Sequence, residues 1–256
     1  MNVIQKALVF GALFVMCTAG AFSQLVWEMG YEYGLGGMNK RWITGSPALL
    51  QDPCCIPKVE ENYLHTMWIG LGVQIPKFLG SKIDLKTQTG FAYSTGSITQ
   101  KLVDQFVILP DPANPDTFVM ANQSISYESR IWTRALWLDL LGRFPLSGPL
   151  RMESGLRLNY RIGVRSKQRL YLIEPSAGTF EDGTREKVIA DGSNLASSPL
   201  SGGLMAGLTY DIPLTTAILL QPGLHLHIDV GTFDNGSLWD TYAIGATMGM
   251  LFNTSE

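Results

Sequence analysis

His225, His227 and Asp229 follow one another at a spacing of two. In an extended chain that spacing puts all three side chains on one face. Two imidazoles beside a carboxylate can act as a general base with an orienting acid. Turnover would also need a Ser or Cys nucleophile or a further acid at the same level, and no recognisable spacing supplies one. The same three residues can instead belong to a buried polar network, with the histidines satisfied by neighbouring ions. Lacking a nucleophile, the sequence favours the network. Arg151, Glu153, Arg157 and Arg161 also share one parity. An arginine ladder of this kind either lines a path for anions or pairs with acids on other segments and closes the space it faces.

Other reactive groups are few. The chain of 256 residues has 3 Cys and 3 His, with no C-x-x-C or H-x-x-x-H spacing. No metal site and no cofactor are therefore expected. A phosphate-binding glycine loop and a nucleophile elbow are both missing. Cys54 and Cys55 are adjacent, and a vicinal disulfide, an intermolecular bond and free thiols all remain open. A balance of 19 Lys+Arg against 22 Asp+Glu gives a formal net charge of -3. That argues against a nucleic-acid partner bound through a basic surface. With 46% hydrophobic and only 16% charged residues, the chain is too apolar for a disordered protein.

The elements that carry these residues are strands. Eight segments alternate with period two. In the first, Trp27, Met29, Tyr31 and Tyr33 oppose Glu28, Gly30, Glu32 and Gly34. In the fifth, Met152, Leu156, Leu158, Tyr160, Ile162 and Val164 oppose Arg151, Glu153, Arg157, Arg161 and Gly163. In the seventh, Leu224, Leu226 and Ile228 oppose His225, His227 and Asp229. The connections alternate in length: short turns at 76–81, 145–149 and 213–216, longer ones at 38–62, 94–121, 165–199 and 231–238. Consecutive antiparallel hairpins with all long loops at one end are the plan of an all-β, eight-stranded, up-and-down transmembrane β-barrel with short periplasmic turns and long extracellular loops. Within 97–119, Ile98, Leu102 and the Phe106-Val-Ile-Leu109 run could form a hairpin that carries the third and fourth strands beyond the membrane.

Alternation does not say which face points inward. The polar face is rich in Gly and carries both signs of charge, which suits a narrow lumen where ions must find partners. Aromatic residues (Trp27, Tyr63, Tyr93, Trp132, Phe144, Tyr160, Tyr210, Tyr242, Phe252) gather near segment ends on the apolar face, as in the interfacial girdles of membrane barrels. The expected lumenal charge network is therefore Glu28, Glu32, Asp139, Arg143, Arg151, Glu153, Arg157, Arg161, His225, His227 and Asp229. Eight strands leave an interior just wide enough for side chains, so these groups are expected to plug it. Arg151, Glu153, Arg157 and Arg161 are expected to pair with Glu28, Glu32, Asp139 or Asp229.

Residues 1–23 have the form of a cleaved secretory signal peptide. Lys6 precedes an apolar run from Ala7 to Met16, and Ala21-Phe22-Ser23 offers small residues to a signal peptidase. The barrel domain is then 24–256. Several pieces, Leu138-Asp-Leu-Leu-Gly-Arg-Phe-Pro-Leu-Ser-Gly-Pro-Leu, Glu153-Ser-Gly-Leu-Arg-Leu, Gly207-Leu-Thr-Tyr-Asp-Ile-Pro-Leu, Leu220-Gln-Pro-Gly-Leu and Gly245-Ala-Thr-Met-Gly-Met-Leu-Phe, resemble small bacterial outer-membrane β-barrel proteins of the OmpX, OmpA-barrel and PorT type, as found in the Bacteroidetes–Chlorobi group. Cys54-Cys55-Ile56-Pro57 is similar to such sequences too. One departure is that Phe252, in place of a terminal aromatic residue read by the assembly machinery, is followed by Asn253-Thr-Ser-Glu256. The resemblance implies a location in the bacterial outer membrane. Its partners would be outer-membrane lipid, the barrel-assembly machinery and other envelope or extracellular proteins reached through the loops. The expected function is non-enzymatic, structural or adhesive. The alternatives are a barrel-embedded enzyme acting on lipid or protein, and a small channel.

Overall fold

The computed structural model describes residues 24–37, 58–111, 114–174, 179–180, 182–192, 200–232 and 240–252. The signal segment and the Cys54-Cys55 pair lie outside the described residues. The strands are β1 (Gln24–Gly37), β2 (Lys58–Ile75), β3 (Asp84–Asp111), β4 (Asn114–Ser147), β5 (Leu150–Glu174), β6 (Glu186–Gly192), β7 (Leu200–Tyr210), β8 (Ile212–Pro213), β9 (Ile218–Thr232) and β10 (Asp240–Phe252). Eight of them, β1-β2-β3-β4-β5-β7-β9-β10, pair antiparallel in that order, and β10 closes on β1. β6 and β8 are short additions on β5 and β9. The only helical turn among the described residues is a 3-10 turn at Phe78–Gly80.

Ring closure sets a stagger. A row of paired residues that leaves β10 at Phe252 returns to β10 at Tyr242, about ten residues along. Such a shear on eight strands tilts them by roughly 40°. The same ten residues, at about 3.3 Å each and so tilted, separate the two ends of the wall by about 25 Å. Both ends carry aromatic side chains, and the distance equals the height of the apolar band of a membrane barrel.

The wall is apolar outside and polar inside. Ile69, Leu71, Leu140, Leu156, Leu204, Leu226 and Ile244 are each 46–58% exposed on the outer face, while Asp139 is 0% and Arg157 3% exposed inside. Water would not tolerate so continuous an apolar surface. Closure leaves the eight-stranded ring itself without an open edge, which is what a bilayer requires of strands. The fold is an eight-stranded, antiparallel, up-and-down transmembrane β-barrel. At one end the turns are tight: Gly148, at φ +54 between β4 and β5, occupies the left-handed region that an L side chain would strain.

Two features differ from the sequence reading. First, much of the expected loop is strand. β3 and β4 stay paired as far as Asp111 and Asn114, so the hairpin anticipated within 97–119 is present. β5 runs on to Glu174 and recruits β6 from the expected loop 165–199. Above the membrane no lipid imposes strict alternation, so these stretches carried a weaker periodic signal. Second, the pairing of β4 with β5 shifts where Arg134 faces Gly163 and Ala135 faces Arg161, leaving Ile162 as an extra residue. A bulge of one residue reverses the parity of everything beyond it. Val164, expected outside with Ile162, now pairs with Thr133, which lines the lumen. Gly163 and Arg165 turn outward instead.

Candidate functional site

The lumen holds two ionic layers. In the layer near the tight turns, the buried Lys86 ammonium on β3 donates to Glu28 and, at 3.3 Å, to Glu153. Arg143 on β4 donates to Glu153 at 3.1 Å and also to Asp211, which follows β7. Arg151 donates to the second oxygen of Asp211 at 3.2 Å and is only partly covered. Gln221 donates to Asp211 at 2.9 Å, and Thr209 to Glu153 at 3.3 Å. Two acids, Glu153 and Asp211, thus each bridge two cations from different strands.

The second layer centres on Arg157. Its Nε and Nη2 donate to the two oxygens of Asp139, each at 2.8 Å. Its Nη1 donates to Glu32 Oε1 at 2.6 Å. The fork geometry of a guanidinium makes such a double contact possible, which a lysine cannot reproduce. The guanidinium carbon lies 5.1 Å from the Trp68 ring centre and 5.0 Å from that of Trp137, and the two rings meet edge to face at 5.2 Å. Cation–π attraction adds to the ion pairs in this desolvated setting. His225 Nε2 lies 2.8 Å from Glu32 Oε1, and His227 Nδ1 lies 3.7 Å from Glu32 Oε2.

Glycine explains how so many large groups fit. A Cβ on Gly30 would come within 2.4 Å of the Trp68 ring, and one on Gly70 within 2.4 Å of Trp137. A Cβ on Gly245 would come within 2.5 Å of the His225 ring, and one on Gly203 within 2.4 Å of His227. Each glycine is a socket for a bulky lumenal side chain from another strand, the adjacent one at Gly30, Gly203 and Gly245, and β4 reaching across Gly90 of β3 at Gly70. The Gly-rich polar face is therefore the counterpart of the tryptophans and histidines.

Of the sequence-selected residues, Glu28, Glu32, Asp139, Arg143, Glu153, Arg157, His225 and His227 are buried in the lumen. Arg161 lines a small pocket of about 80 Å³ on the loop side of Arg157, together with Asn159, Ser201 and Glu32. The side chain of Asp229 lies outside the described part of the chain. Arg157 pairs with Glu32 and Asp139, two of its expected partners. Arg151 instead meets Asp211, and Glu153 meets Lys86 and Arg143. Lys86, which the alternation already places among the charges of the polar face, completes the site with Asp211, Trp68 and Trp137; none of the four was in the expected network. The parity of all four with the charged face was the available signal. Among the described residues no cluster of His, Cys, Asp and Glu could hold a metal ion.

No known protein family and no curated relative matches the chain. Among solved structures, it is similar to Neisserial surface protein A, with 11% identity over 90% of this chain and 96% of that one, at a TM-score of 0.34. It is also similar to the outer membrane protease OmpT from Escherichia coli, with 9% identity over 90% and 95% of the two chains and a TM-score of 0.32. Ail, the attachment invasion locus protein of Yersinia pestis, gives 8% identity over 90% and 98% at a TM-score of 0.28. The barrel itself stands on the chain's own strand pairing.

Proposed function

We propose that this chain is a bacterial outer-membrane protein that acts without turnover, as a structural or partner-binding barrel displaying its long outer strands and loops. The supporting observation is the stacked pair of ionic layers. Lys86, Arg143 and Arg157, from β3, β4 and β5, meet Glu28 and Glu32 of β1, Glu153 of β5 and Asp211 beyond β7. Their side chains fill the cross-section that eight strands enclose. A pore would need that space free, and one nitrogen of each imidazole faces Glu32, which Arg157 already holds. Export through a cleaved segment at 1–23 and delivery by the barrel-assembly machinery belong to the same proposal. What the barrel displays is the β3–β4 hairpin and the β5–β6 extension, surfaces suited to other envelope or extracellular proteins.

Planar-bilayer recording tests the closed lumen. The refolded protein is expected to insert without unitary currents. Stable currents that vanish on Arg157→Ala or change selectivity with Arg161→Ala would refute the plug and make the protein a channel.

A further inference from the structure

The outer wall carries a feature that neither the lumen nor the loops account for. Arg134 belongs to the lipid-facing row of β4, two residues beyond the exposed Leu136, and is itself exposed. Its guanidinium makes no ion pair or hydrogen bond among the described residues. It pairs across to Tyr93, while the next outward residue, Trp132, lies in register with Thr95, then His65, then Tyr33. Tyr33 and Tyr63 each pack on the His65 ring at 5.2 Å, and the Tyr31 hydroxyl meets His65 Nδ1. This is the aromatic girdle at the loop end of the barrel, the level at which lipid headgroups lie.

A second cation reaches the same level because of the bulge. Without the extra residue Ile162, Arg165 would share the lumenal parity of Arg157 and Arg161. With it, Arg165 turns outward beside Trp132, where it is 67% exposed and held at 3.1 Å by Asp191 of β6. Gly163, between the two arginines in register, has open space where a side chain would stand. The result is a groove of about 410 Å³ whose lining includes the outward Tyr93, Trp132, Arg134, Gly163 and Arg165. Its floor is aromatic and its charge is positive. An unpaired guanidinium on the lipid face finds its natural counter-ion in a headgroup phosphate.

We propose that this groove binds the phosphate of an anionic lipid headgroup in the outer leaflet, with Arg134 and Arg165 as the anion-binding pair and Tyr93 and Trp132 against the lipid body. The site rests on the membrane-barrel reading and adds to it a ligand class and a place. The test embeds the full refolded chain in phosphatidylcholine bilayers doped with lipid A, extracts it in mild detergent and measures co-extracted lipid by native mass spectrometry. Lipid A should be retained in preference to phosphatidylcholine. Arg134→Gln and Arg165→Gln should each weaken retention about fivefold, the worth of one cation near a charged surface. Arg134→Lys should keep most of it. Arg130→Gln, on the same outward row but engaged by Glu128 at 2.6 Å, should leave it unchanged. Excess inorganic phosphate should fail to displace the lipid. Equal retention by the wild type and Arg134→Gln, both shown folded by heat modifiability, overturns the site alone. Displacement by inorganic phosphate overturns the lipid as its ligand. A chain that does not embed in bilayers at all overturns the membrane reading and the site with it.

Discussion

Replacing Arg157 by Leu is the sharpest perturbation of the lumen. The substitution removes two 2.8 Å hydrogen bonds to Asp139 and one of 2.6 Å to Glu32. It leaves the two acids unequally placed. Glu32 keeps His225 at 2.8 Å, whereas Asp139, which is 0% exposed, keeps only Gln88 Nε2 at 3.2 Å. Breaking a buried pair by removing one partner costs about 3–5 kcal/mol. The lost sandwich between Trp68 and Trp137 adds up to about 2 kcal/mol, and relaxation of the surrounding side chains offsets part of the total. A net loss of about 4 kcal/mol is expected. Urea unfolding of the refolded barrel in vesicles, read by tryptophan fluorescence and by heat modifiability on gels, measures it. Adding Asp139→Asn to Arg157→Leu should restore at least about 1.5 kcal/mol, because the stranded charge is then gone. An Arg157→Leu protein that unfolds within about 0.5 kcal/mol of wild type would refute the ionic layer as a stabilising element.

Three further outcomes follow from the same geometry. Gly70→Val should cost about 2–3 kcal/mol by urea unfolding, since its first side-chain carbon would already stand 2.4 Å from the Trp137 ring, whereas the open position Gly163 should accept Ala nearly without cost. Gly148→Val should destabilise the β4–β5 turn by about 1–2 kcal/mol, because the backbone there is at φ +54. Finally, burial raises the Glu128 carboxyl, but hydrogen bonds from Arg130 Nε and the Tyr171 hydroxyl outweigh it and hold the group below the ordinary carboxylate range. A depressed carboxylate contributes stability above its unfolded value of about 4.3 and loses it as pH falls through the folded value. Protection against hydrogen exchange in the outer β4–β5 extension, taken relative to the intrinsic exchange rate at each pH, should therefore fall below about pH 4 in the wild type, and Glu128→Gln should remove that acid-side step. A step that persists in Glu128→Gln would assign it elsewhere.

Where the two solvents of the barrel act directly on each residue, the sequence was sufficient. Lipid outside and a polar lumen inside demand strict alternation, so the faces of β1, β5 and β9 could be read from Glu28, Arg157 and His225 and their neighbours. The alternation of short and long connections was enough for the ring of eight. The charges of the candidate site were legible for the same reason, being ions on the face that cannot meet lipid. Their partners were not legible, because a contact across the lumen depends on the stagger accumulated around the closed ring. That stagger brings Lys86 to Glu153 and Arg151 to Asp211, residues from strands remote in sequence or separated by a turn. The glycine sockets under Trp68, Trp137, His225 and His227 were hidden likewise, since a gap on one strand has meaning only against the bulk that another strand brings to it. The bulge at Ile162 was invisible for a third reason. One extra residue leaves the local pattern almost unchanged, yet it reverses the face of all that follows, and only pairing with Arg134 and Ala135 reveals that Arg165, expected at the start of a loop, stands on the outer wall.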